Sequence, residues 1–425
     1  MPPHERPVPA PSGSEPPLRL ALGAFLGVCA LADLSPLAKL HPPSTVLRAL
    51  VGTADGSRVW GLYAGMSFLA LAVPVLAVGW VSRWKSLPHG SLARFASGVM
   101  VAAMFAVARS VARRAEALRS IGRGSDLADC IEMPARALAS GHWPYDRALI
   151  WTRNPCSPGT GWIALALPFV LTVGYTAFVV AGAIALVALP EKMFGARTTT
   201  ALLALTLSCV TTWQSLATGG DGVAIGIALV LVTTLSAFPR LTIVAAVLAG
   251  LVATARLPLA FVPFVLTAFL LAEGERRRAT LFGAVALGTL AIAHGVPLAI
   301  DAHSYMHDGP FHVIYKAARF ANAGGSAILI ACAVAWVAYA AWCVRRLTKT
   351  AASPLVRLVD VGTLTLLSIA GPALTDLVTR LRAAPEGGAW QALQTWEGGN
   401  WLLFALPCYA AAVALANKAV AAAEE

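Results

Sequence analysis

Charged residues are scarce in this chain. Of its 425 residues, 12% are charged and 58% are hydrophobic, and the mean hydropathy is +0.71. A soluble domain carries about 25% charged residues, roughly twice as many. The apolar residues also come in runs of about 20, the length of helix that crosses a bilayer. This composition excludes an ordinary soluble domain and indicates an all-α, polytopic transmembrane protein.

The motifs of several enzyme and binding classes are missing. The sequence has no Walker A motif, no GxGxxG after a strand and no HExxH. Its seven cysteines form no CxxC pair and no metal-ligand spacing. The formal charge of +11 is spread over short loops without a nucleic-acid motif, so anionic lipid headgroups and the positive-inside bias explain it better than nucleic acid does. We expect no metal ion and no cofactor.

The first residues differ from the rest. Residues 1–17 are Pro-rich and polar, and they lack the apolar core of a signal peptide. They are predicted to form a disordered tail. Residues 18–425 are predicted to form one transmembrane domain.

Apolar segments that can form membrane helices number about twelve. They fall near residues 18–36, 59–82, 92–112, 161–189, 198–217, 222–238, 241–254, 256–272, 279–299, 325–343, 354–372 and 401–417. The short segment 241–254 is predicted to form a broken unit with 256–272, around Arg256 and Pro258. Pro168 is predicted to split a shallow first turn from its long segment.

Basic residues of the short loops predict an orientation in a plasma (inner) membrane. With the N-terminus in the cytoplasm, the basic connections face inward, as the positive-inside rule requires. The polar loops 113–160, 300–324 and 373–400, and the turn around Asp221, then face the extracytoplasmic side. The arginines near residues 109–123 count against this orientation, but long loops weigh little in the rule.

The stretch from Gly124 to Trp162 is unusually polar for a connection between two helices. Asp126 and Asp129 open a segment with apolar residues at helical spacing, which predicts an interfacial amphipathic helix with Ser125 as its N-cap. Asp126 is therefore either a capping residue at the helix dipole or a carboxylate placed to deprotonate a hydroxyl.

Two further features of this loop leave alternatives open. Trp143, Tyr145 and Asp146 surround Pro144 in a rigid interfacial turn, which is either an aromatic-belt anchor or part of a substrate site. Cys130 and Cys156 share the loop. Two unpaired thiols are the favoured interpretation, and a disulfide is the alternative if the loop faces an oxidising compartment.

The order of motifs resembles a known family. Ser-Asp at a helix end, an amphipathic helix ending in Gly-x-x-Pro-Tyr and a Pro-rich return to the membrane resemble the first large outer loop of GT-C glycosyltransferases, above all glycosyltransferase family 87, the polyprenyl-phosphate-mannose-dependent enzymes. Trp213–Gly222 and Thr254–Pro258 resemble two later segments of that family. The sequence departs from the family pattern at Leu127 and Cys130, where aromatic residues are usual.

The resemblance implies a fold, an activity and partners. It implies a helical GT-C bundle that transfers a hexosyl residue, with mannose expected, from a polyprenyl-phosphate sugar to a lipid or glycan acceptor, with inversion. Asp126 becomes the general base, with Asp129 as the second choice. Arg256 becomes a ligand of the leaving phosphate, although a salt bridge to Asp221 or snorkelling to the interface explains it equally well.

Other residues complete the predicted site. In the loop 300–324, basic side chains are predicted to bind the donor phosphate: His312, Lys316 and Arg319. A zinc site at His303 and His307 is the less favoured interpretation. Residues predicted to bind substrate are Trp143, Tyr145, Asp146, Gln214, Asp221 and Trp396. A transporter or flippase of a lipid-linked or small polar substrate, and a catalytically inactive assembly subunit, are the alternative functions.

Overall fold

The computed structural model describes residues 15–40, 56–82, 90–119, 126–320, 325–347, 353–384, 388–396 and 398–423. Within these ranges the chain is helical, with short 3-10 turns and no β-strand. The helices are, in chain order, α1 (Glu15–Leu40), α2 (Gly56–Ser82), α3 (Gly90–Arg119), α4 (Asp129–Ala139), α5 (Thr160–Thr172), α6 (Tyr175–Phe194), α7 (Ala196–Ser208), α8 (Val210–Thr218), α9 (Gly222–Leu235), α10 (Thr242–Ala253), α11 (Val262–Ala272), α12 (Arg276–Ile300), α13 (Ala302–His307), α14 (His312–Phe320), α15 (Ser326–Leu347), α16 (Pro354–Ala383), α17 (Gly388–Thr395), α18 (Gly398–Trp401) and α19 (Leu406–Ala423). Residues 1–14 of the predicted tail lie outside the described ranges.

Among the residues that the structure describes, fewer helices than the predicted twelve are long enough to cross a membrane. Six reach that length and apolarity: α1, α2, α3, α12, α15 and α16. The bent pair α7 and α8 (80°) and the pair formed by residues 398–404 and α19 (42°) raise the number to 8. The predicted twelve are not reached, because α5, α9, α10 and α11 have only 11 to 14 residues. Such helices are about 17–21 Å long, whereas the bilayer core is about 30 Å thick.

The broken unit predicted around Arg256 and Pro258 is present. Helix α10 ends at Ala253, and α11 begins at Val262 after a short 3-10 turn. Arg256 has extended backbone angles (φ −149°, ψ 139°), and Pro258 lacks the N–H that a continuing helix would use. The chain therefore turns back at this point, and the turn carries Arg256.

Two predicted boundaries are wrong. Pro168 lies inside α5, and the long segment breaks instead before Tyr175, where Gly174 has φ +103°, a left-handed conformation that glycine adopts without strain. Residues 373–400 are not one loop, because α16 continues to Ala383. An ion pair of 3.0 Å between Asp376 and Arg380, one helical turn apart, supports this extension.

The connections between helices gather in two groups. In one group, Arg357 forms an ion pair with Glu273, which joins two of the predicted basic connections. In the other group, Arg147 forms an ion pair with Asp308, which joins two of the predicted polar loops. Helix α12, with 25 residues and a length of about 38 Å, runs from the first group to the second. These four connections therefore lie near the two ends of α12, while the sorting of the other loops and their assignment to compartments stay predictions.

Close helix packing explains the spacing Gly222-x-x-x-Gly226. A Cβ on Gly226 would stand 2.6 Å from Cγ of Pro407, and one on Gly222 would stand 3.0 Å from the carbonyl oxygen of Asn400. Only glycine allows α9 to approach residues 400–407 this closely. The spacing of the two glycines therefore has a structural role.

Candidate functional site

The predicted amphipathic helix is present as α4, and Asp126 lies just before its first turn; its position at the membrane interface stays a prediction. The amide of Cys130 donates to the carbonyl oxygen of Asp126 at 3.1 Å, and Ile131 on the inner face is fully buried. The predicted N-cap, Ser125, lies outside the described residues. Asp129 is 3% exposed, whereas Asp126 is half-buried. Of the two candidate acids, Asp126 is therefore the one that a substrate reaches more easily.

Cys130 and Cys156 form a disulfide, with their Cα atoms 5.2 Å apart. The favoured expectation of two unpaired thiols is therefore wrong. The bond forms because the first turn of α4 and the segment that returns to the membrane run side by side, which the sequence separation of 26 residues conceals. The amide of Cys156 also donates to the carbonyl oxygen of Asp308 at 2.9 Å, so the bridge reaches the loop after α12.

The Asp126 carboxylate is held by two side chains from the same returning segment. The hydroxyl of Thr152 donates to Oδ2 of Asp126 at 2.5 Å, and the amide nitrogen of Asn154 donates to the same oxygen at 2.9 Å. Arg153, between them, has φ +56°, a left-handed conformation that is uncommon outside glycine. The Asp126 side chain therefore forms tertiary hydrogen bonds to Thr152 and Asn154, in place of the capping role considered from the sequence.

Trp143 and Tyr145 fasten this loop to the chain after α12. The Trp143 indole N–H donates to Oγ of Ser304 at 2.7 Å, and the Tyr145 hydroxyl donates to the carbonyl oxygen of Pro158 at 3.0 Å. The Tyr145 ring meets Tyr305 edge-on, with centroids 5.0 Å apart. Burial raises the pKa of Tyr145 well above its usual range and that of Tyr305 to about 12. Both aromatic residues therefore anchor the loop, and their part in substrate binding stays a prediction.

Asp146 lies on the exposed side of the same loop. Its carboxylate accepts a hydrogen bond of 2.8 Å from the amide of Ala148 and caps a short 3-10 turn. The next residue, Arg147, pairs with Asp308 and reaches the carbonyl oxygen of His307 at 3.3 Å. Asp146 thus shapes the turn that presents Arg147 to the neighbouring loop.

Arg256 and Asp221 form a buried ion pair. The distance from Nη2 of Arg256 to Oδ1 of Asp221 is 2.5 Å, and the side chains are 16% and 6% exposed. Nη1 of Arg256 donates to the carbonyl oxygen of Ala255 at 2.6 Å. Asp221 precedes the first residue of α9, where the helix dipole favours an acid. Of the interpretations left open for Arg256, the salt bridge is the one that the structure contains.

Helix α14 carries the three residues predicted to bind phosphate. Because the carbonyl oxygen of Gly309 can only accept, Nδ1 of His312 donates to it, at 2.8 Å. Burial lowers the pKa of His312. Nζ of Lys316 lies 5.6 Å from the ring centroid of Trp401, within cation–π range. Arg319 is exposed.

The two histidines of the zinc alternative lie together on α13. The ring centroids of His303 and His307 are 4.6 Å apart, and His307 also stacks on Tyr315 at 4.6 Å. Across the residues described, no group of three metal-ligating side chains is close enough to hold an ion. The geometry here is that of an exposed aromatic stack.

The predicted site segments converge at one end of the bundle. A Cβ on Gly219 would overlap the Cβ of Ala128, which brings the Asp126 segment against the turn that leads to Asp221. Asp221 pairs with Arg256. The charge of Arg256 in turn acts on His312, together with those of Lys316 and Arg147. The loop 126–160, the turn before α9, the break after α10 and helix α14 therefore belong to one polar region.

Trp396 and Gln214, two more of the residues predicted to bind substrate, also have side-chain atoms buried in the protein. Trp396 is 3% exposed, and its indole N–H donates to the carbonyl oxygen of Ala373 at 2.9 Å. Both the ring and its N–H are thus engaged by protein, which leaves no face for a sugar. Gln214 on α8 is half-buried, and its Oε1 has no hydrogen-bond partner among the described residues.

An apolar cavity of about 280 Å³ lies beside the break that carries Arg256. Its lining comes from the break and from α15 and α16, and includes Pro258, Phe261, Cys332, Trp336 and Gly371. Because Pro258 is two residues from Arg256, the cavity adjoins the polar region. The sequence offered no signal for it, since its walls come from segments far apart in the chain.

Sequence reasoning missed Thr152 and Asn154. A signal existed: the polar run Thr152-Arg153-Asn154 stands between Trp151 and Pro155, where a simple anchor needs no hydrogen-bonding side chains.

Three comparisons, with protein-family models, with curated proteins and with solved structures, give no significant match. The geometry of the site is therefore the basis for its function.

Proposed function

We propose that this protein is an integral-membrane glycosyltransferase. It transfers a hexosyl residue, mannosyl in the leading case, from a polyprenyl-phosphate sugar to a lipid or glycan acceptor on the extracytoplasmic face. The supporting observation is that the loop of Asp126 meets the turn of the Asp221–Arg256 pair, close to α14. A carboxylate that accepts a proton then shares one polar region with cations that stabilise a leaving phosphate.

In this proposal Asp126 accepts the proton of the acceptor hydroxyl while its oxygen attacks the anomeric carbon. The bond from that carbon to the phosphate oxygen breaks on the opposite face, so the configuration inverts. Negative charge develops on the departing phosphate, near Arg256 and Lys316. Arg256 also keeps the break in place through Asp221.

His312 is less suited to phosphate than the sequence suggested. Its Nδ1 donates to Gly309, and burial lowers its pKa, so the neutral ring presents Nε2 as an acceptor. It stabilises a phosphate only after taking up a proton. Lys316 is therefore the first choice on α14.

The apolar cavity supports a lipid-linked donor. Its walls include Phe261, Trp336 and Pro258, and Pro258 is two residues from Arg256 in the chain. A polyprenyl chain is a hydrocarbon, and these apolar walls match it in polarity as lipid tails do, so it can pass between lipid and cavity without desolvating a polar group. A donor with its chain here and its phosphate near Arg256 spans both environments.

The test is transfer of labelled mannose from polyprenyl-phosphate mannose in membranes that contain the protein. We expect Asp126→Asn to lower the rate about 10²- to 10⁴-fold, the usual contribution of a general base. Asp301→Asn is the matched control, because Asp301 is exposed and caps α13, a role that asparagine also fills. Undiminished transfer by Asp126→Asn at normal expression would refute the role of Asp126.

A transporter is the second candidate function. It is favoured by the 80° bend between α7 and α8 and by the break that carries Arg256, since transporters often place charged groups at discontinuous helices. Labelled donor that crosses sealed vesicles without any transfer of sugar would favour this alternative.

A further inference from the structure

A carboxylate has two oxygens and a rotatable bond, so a general base needs its orientation set. We infer that Thr152 and Asn154 are positioning residues that hold Oδ2 of Asp126 and leave Oδ1 for the acceptor hydroxyl. The inference rests on the proposed function, in which Asp126 is the base. Both residues act through Asp126 and not on the substrate.

The two hydrogen bonds share one acceptor atom. The Thr152 hydroxyl and the Asn154 amide both donate to Oδ2 of Asp126, at 2.5 and 2.9 Å. The backbone N–H of Asn154 donates to Oγ1 of Thr152 at 3.3 Å. With its lone pair accepting there, the Thr152 hydroxyl directs its proton to Asp126. Neither of these bonds uses Oδ1, and Asp126 is only half-buried.

The backbone around these donors is built to keep them on one side. The amide of Arg153 donates to the carbonyl oxygen of Ile150 at 2.8 Å, which closes a tight turn. Arg153 has φ +56°, and this left-handed residue brings the side chains before and after it toward the same carboxylate. The disulfide of Cys156 follows two residues after Asn154.

The disulfide links the chain segment of Asp126, the hydrogen-bond acceptor, to the segment of Thr152 and Asn154, the hydrogen-bond donors. Cys130 lies one turn after Asp126 and donates its amide to the Asp126 carbonyl oxygen at 3.1 Å. Cys156 lies just beyond the donors. The covalent bond therefore limits how far the carboxylate can move from Thr152 and Asn154.

In this proposal Oδ1 of Asp126 is the atom that takes the proton. The acceptor O–H bond breaks and its proton moves to Oδ1, while the oxygen forms the new bond to the anomeric carbon. The bond from that carbon to the phosphate oxygen breaks, and the phosphate leaves with the electron pair. If the carboxylate rotates, Oδ1 moves away from the hydroxyl, and a misplacement of about 1 Å lowers such a rate by up to about 100-fold.

Kinetics separate positioning from binding. We expect Thr152→Val and Asn154→Ala each to lower kcat by roughly 10- to 100-fold, with KM changed by less than about threefold, because substrate binding does not use these groups. Thr152→Ser keeps the hydroxyl and should restore kcat to within about threefold of the native value. Thr280→Val is the matched control, since the exposed Thr280 hydroxyl bonds only to the carbonyl of Arg276 in its own helix.

The outcomes distinguish this inference from the proposed function. If Asp126→Asn is inactive while Thr152→Val and Asn154→Ala keep the native kcat, the positioning role is overturned and the base stands. If Asp126→Asn transfers sugar at the native rate, Asp126 is not the base, and both that assignment and the positioning role fail; if the native protein transfers no sugar, the proposed function itself fails. A second measurement needs no substrate: labelling of Asp126 by a carbodiimide and a glycine ester, read by mass spectrometry. We expect faster labelling in Thr152→Val than in the native protein or Thr280→Val, and equal rates in all three would overturn the hydrogen-bonded geometry.

Discussion

Gly219 lies directly against Ala128. A Cβ on Gly219 would overlap the Cβ of Ala128, and Gly219 has φ +71°. The position thus requires glycine both for its left-handed backbone and for close approach. Ala128 follows Asp126 by two residues, and Gly219 precedes Asp221 by two. Through this contact the candidate base and the buried ion pair are held in one region.

Replacing Gly219 by alanine should displace the segment of Asp126. We expect Gly219→Ala to lower the free energy of unfolding by about 1–3 kcal/mol and to reduce transfer. Gly274→Ala is the matched control: Gly274 has φ +80°, but a Cβ there would meet no atom within 4 Å. Thermal unfolding of the two variants separates backbone strain from the clash. If Ala128→Gly does not recover part of the loss in Gly219→Ala, the contact is not its cause.

Replacing only Arg256 of the Asp221–Arg256 pair should destabilise the protein more than replacing both residues. Arg256→Met leaves a buried carboxylate without its cation, which costs about 3–5 kcal/mol. Replacing both residues, with Asp221→Asn and Arg256→Met, removes the uncompensated charge and should recover most of that stability. A double-mutant cycle in thermal or denaturant unfolding measures the coupling. Additive losses from the two single variants would argue against an energetic link.

Removing the disulfide should loosen the loop that carries Asp126. The two cysteines are separated by 26 positions in the sequence, and a disulfide that closes a loop of this length contributes about 3 kcal/mol to the free energy of unfolding. We expect the double variant Cys130→Ser and Cys156→Ser to melt at lower temperature, and reductant to lower the melting temperature of the native protein but not of the variant. Cys332→Ser, at a free half-buried cysteine, is the control. Maleimide labelling that finds both thiols free in cells would contradict the pairing.

Acid should destabilise the fold partly through His312, because burial lowers its pKa. An unfolded histidine takes up its proton near pH 6.5, whereas folded His312 takes it up only at lower pH. As the pH falls between these values the unfolded state binds the extra proton, so stability present above about pH 6.5 is lost. We expect His312→Gln to show a smaller fall in melting temperature between about pH 7.5 and 5.5 than the native protein. His142→Gln, at an exposed histidine, should behave like the native protein.

Features set by local patterns were predicted well. The amphipathic spacing after Asp126 predicted α4, and the combination of Arg256 with Pro258 predicted the break between α10 and α11. Both depend on neighbours within a few residues, through helical periodicity and the missing N–H of proline. The predicted count of about twelve membrane helices is not confirmed, because apolar composition alone does not fix where a helix ends inside a packed bundle.

Features set by distant contacts were either missed or, like the disulfide between Cys130 and Cys156, considered only as the less favoured alternative. The buried position of Trp396 depends on the approach of Ala373, and the pairing of Cys130 with Cys156 depends on how the loop folds back. Thr152 and Asn154 look like ordinary polar loop residues until the turn at Arg153 brings them to Asp126. None of these relations leaves a periodic signal in the chain.

The sequence by itself determined that the chain is helical, rich in apolar segments of membrane length, and polar in a few long connections, because hydrophobic composition and periodicity are local properties. It also singled out Asp126 and Arg256. Only the tertiary structure decided their partners: Thr152 and Asn154 for Asp126, 26 and 28 residues away, and Asp221 for Arg256, 35 residues away. Such pairings depend on how short helices, a disulfide and glycine contacts pack together in space.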